Sequence, residues 1–285
     1  MKRKNILVAG AGGLIGSAIA GHLAKHNILK AGREDFIKKD LVFVNEYDAS
    51  DVIMNFSGTP VMQRWTSRSR KEIMDSRIGT TRKLGLILSM GEKKPRQYIS
   101  ASAIGIYSDE GTHDETSRNR GEGFMKDVVE SWEEEAMKLE GPLSSVAILR
   151  LGVVLSRQGG IVKKLLPWFR MGLGARIGSG KQAFSWIHIE DLLRAVEYIM
   201  DGKKAGIYNL VSPGNCRNID FTRQMGRALN KTSKLTVPSM ALKLIYGKGA
   251  GLITGGQAVI PRRLIREGFE FKYKDLGSAL DDIVN

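Results

Sequence analysis

Asn5-Ile6-Leu7-Val8-Ala9-Gly10-Ala11-Gly12-Gly13-Leu14-Ile15-Gly16 constrains the fold more than any other stretch of this chain. An apolar run leads into a cluster of glycines. An alanine-rich amphipathic stretch follows from Ser17 to His26, which is the order of strand, tight turn and helix. Gly10 allows the turn a positive φ, Gly13 lets backbone approach a phosphate, and Gly16 lets the helix pack close on the strand. The helix start then offers free N–H groups and a positive dipole end to a pyrophosphate. Glycines also mark ordinary turns, so the reading rests on the strand before and the helix after.

Later segments repeat the alternation. Ile28 to Glu34 reads as a second strand and its exit, where an arginine accommodates a 2′-phosphate and an acidic residue a free 2′-hydroxyl. Arg33 at that exit leans the chain toward NADP(H), and Glu34 beside it is the alternative. Between Asp35 and Asp51 there is hardly room for a full crossover helix, so that side of the sheet is expected to be thinly covered. Asp51 to Gly58 is another buried strand, which puts Asn55, Phe56, Ser57, Gly58 and Thr59 at a ligand-facing strand end. Arg64 follows that turn and is placed to meet a phosphate, with a solvated arginine as the alternative. A helical pattern runs from about Arg68 to Met90, and Gln97 to Ser102 forms the next strand. A charged loop spans Asp109 to Gly123, then a helix runs from about Phe124 to Leu139 and a long apolar strand from Ser145 to Leu155. Ser100, Ala101, Gly152 and Val153 fall at the same ends of their strands and join the cofactor-binding set.

The fold class that follows is α/β, a Rossmann-like doubly wound parallel sheet with a smaller C-terminal substrate-side domain. Residues 1–155, with about 186–204, are assigned to the dinucleotide-binding part. Residues from about 156–185 and 205–285 are assigned to the smaller one. Trp65, Tyr107, Gln182, Trp186 and His188 sit on segments that should converge between the two, and form the expected substrate pocket. His188, in an apolar Trp-Ile-His-Ile run before a helix start, reads more readily as a buried structural residue than as a base.

Composition narrows the partners. A single cysteine, Cys216, cannot build a disulfide framework and fits a reducing cytosol. No apolar run reaches the length of a membrane span, and the basic start passes directly into a strand rather than into a signal-peptide core. The net charge of +14 is spread over scattered lysines and arginines, so a solvated basic surface that draws in phosphorylated ligands outweighs nucleic-acid binding. A small-molecule substrate is expected, with room for a homo-oligomer.

Taken together, Gly10-x-x-Gly13-x-x-Gly16, Asn55-Phe56-Ser57-Gly58, Arg64-Trp65-Thr66, Ser76-Arg77, Ser100-Ala101-Ser102 through Tyr107, Arg150 through Leu155, Ser185 through Asp191 and Pro261-Arg262-Arg263-Leu264 resemble an extended short-chain dehydrogenase/reductase. The resemblance is closer to the "epimerase family" branch of NAD-dependent epimerase/dehydratase-like proteins, which carries a small extra C-terminal domain. It implies cofactor contacts for Gly10, Gly13, Leu14, Ile15, Gly16, Arg33, Ser57, Gly58 and Thr59. It also implies an NADP(H)-dependent oxidoreductase or epimerase acting on a small, polar or nucleotide-linked substrate.

One departure bears on mechanism. Extended reductases place a Tyr-x-x-x-Lys pair on the helix that here starts at Phe124, and the aligned residues are Met125 and Val129, which carry no proton. General acid work would then fall to Ser102 and Tyr107, with the phenol lowered from its usual pKa of about 10 by a nearby cation. Two alternatives stand beside this one. In one, Ser102 only hydrogen-bonds the cofactor while Tyr107 packs; in the other, the chain senses NADP(H) without turnover and signals to a partner.

Overall fold

A computed structural model describes residues 2–32, 35–36, 50–90, 93–140 and 145–284. Arg33, Glu34 and most of the segment between Asp35 and Asp51 lie outside the described residues. Six parallel strands form the central sheet: β1 (Asn5–Ala9), β2 (Asn27–Ala31), β3 (Val52–Asn55), β4 (Gln97–Ala103), β6 (Val146–Leu151) and β10 (Gly206–Leu210), in the order β10-β6-β4-β3-β1-β2. The chain runs outward from β1 to β2 and then returns to the other side of β1 as β3. That reversal makes a crevice at the carboxyl ends of β1 and β3.

Side chains alternate across each strand, and the two sets build two cores. Ile6, Val8, Met54, Ile99, Ala147, Leu149 and Tyr208 meet α1 (Leu14–His22) on one face. Leu7, Ala9, Ile53, Tyr98, Val146 and Ile148 meet the opposite face, where helices α2 (Ser67–Met74), α3 (Thr80–Met90) and α4 (Phe124–Met137) lie. The helical pattern from Arg68 to Met90 proves to be two α-helices joined by a π-helical turn, Asp75–Gly79. Such turns interrupt a helix where a residue must be re-aimed, and this one carries Ser76 and Arg77 toward the end of β3.

Short parallel pairs tie in the second half. β5 (Thr112–His113) pairs with β12 (Ala258–Val259), β7 (Val153–Ser156) with β9 (Trp186–His188), and β8 (Ala175–Ile177) with β11 (Leu235–Val237). A third core is built by α5 (Gly160–Arg170), α7 (Asn218–Ala228) and the final helix (Leu276–Val284) around Trp186, Phe221 and Tyr273. The helix α6 (Ile189–Asp201) completes the first core through Leu192, Ala195, Val196 and Ile199.

The two parts interleave more than the sequence division assumed. Gly206–Leu210, assigned to the smaller part, is the edge strand of the main sheet. Leu264, Phe269 and Phe271 pack into the main core as well. Of the C-terminal helices, α8 (Ser239–Tyr246) has no buried residue, and α9 (Gly251–Thr254) and α10 (Arg262–Arg266) are short. No helix among the described residues is long and apolar enough to cross a membrane.

Candidate functional site

The first turn of α1 is a cradle with no side chain in it. Gly10 holds a φ of +82°, and a Cβ there would lie 2.6 Å from the Phe56 backbone. A Cβ on Gly16 would overlap the carbonyl oxygen of Gly10, so strand and helix meet backbone to backbone. Gly13 is the N-cap, in extended conformation and without a side-chain cap, which leaves the first-turn N–H groups of α1 for a ligand. Its own Cβ would meet protein only at 3.4 Å, so no protein neighbour requires glycine at this position.

This turn opens into a cleft of about 550 Å³ at the sheet reversal. Gly10, Gly13, Gly32 and Lys83 line it, and Phe56 through Thr59 form a wall beside Gly10. The wall is fixed from behind. Asn55 is fully buried; its Oδ1 accepts from the Ser57 N–H at 3.1 Å, and its Nδ2 donates to the Thr81 and Tyr98 hydroxyls. Thr59 receives its hold from the π-helical turn, its N–H donating to Ser76 Oγ at 3.1 Å. Arg77 donates to the Thr59 carbonyl at 3.0 Å, and burial lowers its guanidinium pKa to about 10. Asn55 therefore positions the wall rather than forming it.

A second cleft, of about 910 Å³, lies one strand along, beyond the carboxyl end of β4. Trp65, Tyr107, Met125 and Gln257 are among its walls, and the C-terminal segment contributes Lys248 and Leu252. Trp65 meets Phe124 edge to face at 5.0 Å and leans on Gly249, so it joins the sheet domain to the C-terminal segment.

Ser102 and Tyr107 are brought together through one buried network. Ser102 Oγ donates to Glu133 at 2.5 Å, and Glu133 takes two hydrogen bonds from Arg150, at 2.8 and 2.7 Å. Arg150 also donates to the Tyr107 hydroxyl at 2.7 Å, which in turn donates to Asn209 Oδ1 at 2.9 Å. Arg150 is 0 % and Tyr107 1 % exposed. Burial raises the Tyr107 pKa, and the Arg150 charge only partly opposes it. The phenol edges the second cleft, but its hydroxyl is spent on protein partners. Met125 and Val129, at the positions of the tyrosine and lysine pair, are packing residues around Tyr107.

Other expected residues stand elsewhere. Trp186 and His188 are 0 % and 3 % exposed and belong to the interior, because β9 runs between the first and third cores. His188 caps α6 through Nδ1, and burial holds its pKa below the usual range despite Asp282 nearby. Gln182 donates to the Ile177 and Ile253 carbonyls and contributes to neither cleft wall. Arg64 reaches the Leu244 carbonyl on α8, away from the first cleft. Ser100 and Ala101 are enclosed within β4. Gly152 and Val153 meet Ser185, Gly152 by a close approach that a Cβ would block. Leu14 and Ile15 supply backbone at the helix start, while the Leu14 side chain packs at Gly159. Lys83, Glu133 and Arg120 were missed; none stands in a motif, and only the fold brings Lys83 and Arg120 to the clefts and Glu133 to the buried network.

An open parallel sheet with a glycine cradle at its reversal defines a dinucleotide-binding α/β protein. The model of the NAD-dependent epimerase/dehydratase family matches residues 6–210, and that of a domain of unknown function matches residues 237–283. The chain belongs to the NAD-dependent epimerase/dehydratase family. It is 36% identical to the chloroplastic epimerase family protein SDR39U1 homolog of Arabidopsis thaliana, over 87% of this chain and 72% of that one. With the epimerase family protein SAR0825 of Staphylococcus aureus it shares 31% identity over 99% of both. Among solved structures, human epimerase family protein SDR39U1 (isoform 2) with NADPH superposes with a TM-score of 0.87, at 28% identity and over 98% of each chain.

Proposed function

We propose that this chain binds NADP(H) in the first cleft and is an oxidoreductase or epimerase-like protein for a small polar substrate held in the second. The observation that carries the reading is the cradle: Gly10, Gly16 and an uncapped helix start leave backbone donors facing a cleft at the sheet reversal. The likeness to a human protein solved with NADPH supports the choice of cofactor. Gly10, Gly13 and the first turn of α1 would hold the pyrophosphate, and Ser57 through Thr59 the neighbouring ribose. The bound cofactor supplies a hydride donor or acceptor at its nicotinamide.

Arg33 follows Gly32 in sequence, and Gly32 lines the cleft, so Arg33 is the first candidate to read the 2′-phosphate. Lys83, which also lines the cleft, is the second. NADPH is expected to bind at least about tenfold more tightly than NADH, the worth of one charge-assisted hydrogen bond. Arg33→Ala should remove most of that preference in a fluorescence titration; a preference that persists transfers the role to Lys83.

A second reading, cofactor sensing without turnover, is favoured by one observation: the Tyr107 hydroxyl is fully engaged and Met125 and Val129 offer no proton. A screen of carbonyl and sugar-nucleotide substrates for NADPH oxidation separates the two. Turnover that Tyr107→Phe abolishes in a stable protein makes Tyr107 the proton donor. Turnover that survives both Tyr107→Phe and Ser102→Ala places the donor elsewhere in the second cleft. No turnover, with NADPH binding intact, supports sensing.

A further inference from the structure

Three cations line the second cleft, Arg70, Arg120 and Lys248, and none has a carboxylate within ion-pair distance among the described residues. Elsewhere Arg150 pairs with Glu133 and Arg263 with Glu267, while the buried Arg77, which has no carboxylate, donates to the Ile73 and Thr59 carbonyls. Arg120 is held in place by backbone. It forms an antiparallel bridge with Tyr107, and the Gly121 N–H donates to the Ile106 carbonyl at 2.9 Å. A Cβ on Gly121 would sit 2.7 Å from the Tyr107 carbonyl oxygen, so this strap has no slack. The Arg120 guanidinium lies 5.8 Å from the centre of the Tyr107 ring, and its Nη1 is buried with no hydrogen-bond partner. A charged donor removed from water and left unmet is costly, and such costs are tolerated where a ligand relieves them.

Arg70, also on the cleft wall, stacks 4.4 Å over the Phe124 ring. A ring face offsets part of the charge but takes none of the in-plane N–H donors, which stay available. The acids at this cleft, Asp109, Glu110 and Glu122, are exposed at its rim. Asp109 accepts from Gln257 Nε2 at 2.5 Å, and none of the three pairs with an arginine.

We propose that the second cleft takes its ligand by an oxyanion group, a carboxylate or a phosphate, gripped by Arg120 and Arg70, with Lys248 adding charge at the mouth. The planar fork of arginine matches either group with paired hydrogen bonds. Calling that ligand the substrate rests on the function proposed above; the anion site does not.

The test is calorimetric titration of the full chain, saturated with NADPH, with inorganic phosphate and separately with succinate. Saturable binding of either is expected, weakened about tenfold or more by Arg120→Gln and by Arg70→Gln, the factor for a lost charge-assisted contact. Phosphate alone binding identifies a phosphorylated ligand, and succinate alone a carboxylate. NADPH affinity, measured on the same variants, should stay unchanged. If neither probe binds, if both variants bind as the parent does, or if the anion competes with NADPH, the proposal is overturned. Should NADPH itself not bind, the cofactor reading fails, and the titration on the chain alone still decides the anion site.

Discussion

Arg150 is enclosed on all sides, and its charge is met by a single carboxylate, Glu133. Removing that partner leaves an uncompensated buried charge, so Glu133→Ala is expected to cost about 3–5 kcal/mol in chemical denaturation. Tyr107→Phe leaves one Arg150 donor and the Asn209 oxygen without their partner, for about 1–3 kcal/mol. A similar loss from Ser102→Ala would tie all three residues to one brace. His188 gives a pH signature. Burial lowers its folded pKa, so between that value and the unfolded value of about 6.5 the unfolded chain binds the extra proton. Stability from this site is complete above pH 6.5 or so and declines as pH falls below it; His26, also lowered by burial, acts with the same sign. His188→Asn keeps a cap acceptor and does not titrate, so its stability should fall less steeply with acid than the parent's. An equally steep loss would assign the effect to other groups. At this scale the sequence signalled Ser102 and Tyr107 as a pair, and the structure does join them. Their link runs through Glu133 and Arg150, which sit far from both in sequence; Arg150 opens one of the matching stretches, but nothing local shows what it pairs with, and Glu133 stands in none.

Strands and helices were legible where burial writes a local pattern. The apolar runs at β1, β3, β4 and β6 are buried on both faces, and the glycine turn announces its own geometry. The edge place of β10 was not legible, because parallel pairing joins distant segments and leaves no local trace. The π-helical turn was hidden for a related reason: the apolar spacing from Ile73 to Leu88 reads as one helix, and only packing reveals the extra residue. Gly16→Ala tests the glycine turn as an element. Its Cβ cannot fit without moving strand and helix apart, so a loss of about 1–3 kcal/mol and weaker NADPH binding are expected together. Stability lost with cofactor affinity unchanged would separate the turn's packing role from ligand binding.

Over the whole molecule, the crevice at the sheet reversal and the cleft beyond β4 lie side by side at the carboxyl ends of the strands. The C-terminal segment closes the second cleft through Lys248 and Leu252, and anchors itself in the main core through Leu264, Phe269 and Phe271. A chain of net charge +14 also draws a multiply charged dinucleotide toward it from solution. The claim that organises this arrangement is cofactor binding in the glycine-walled cleft. Its most direct measurement is an equilibrium fluorescence titration of the full chain with NADPH, set against NADH. The account predicts saturable binding of one NADPH per chain, tighter than NADH. No saturation by NADPH, or equal affinity for the two dinucleotides, would contradict it.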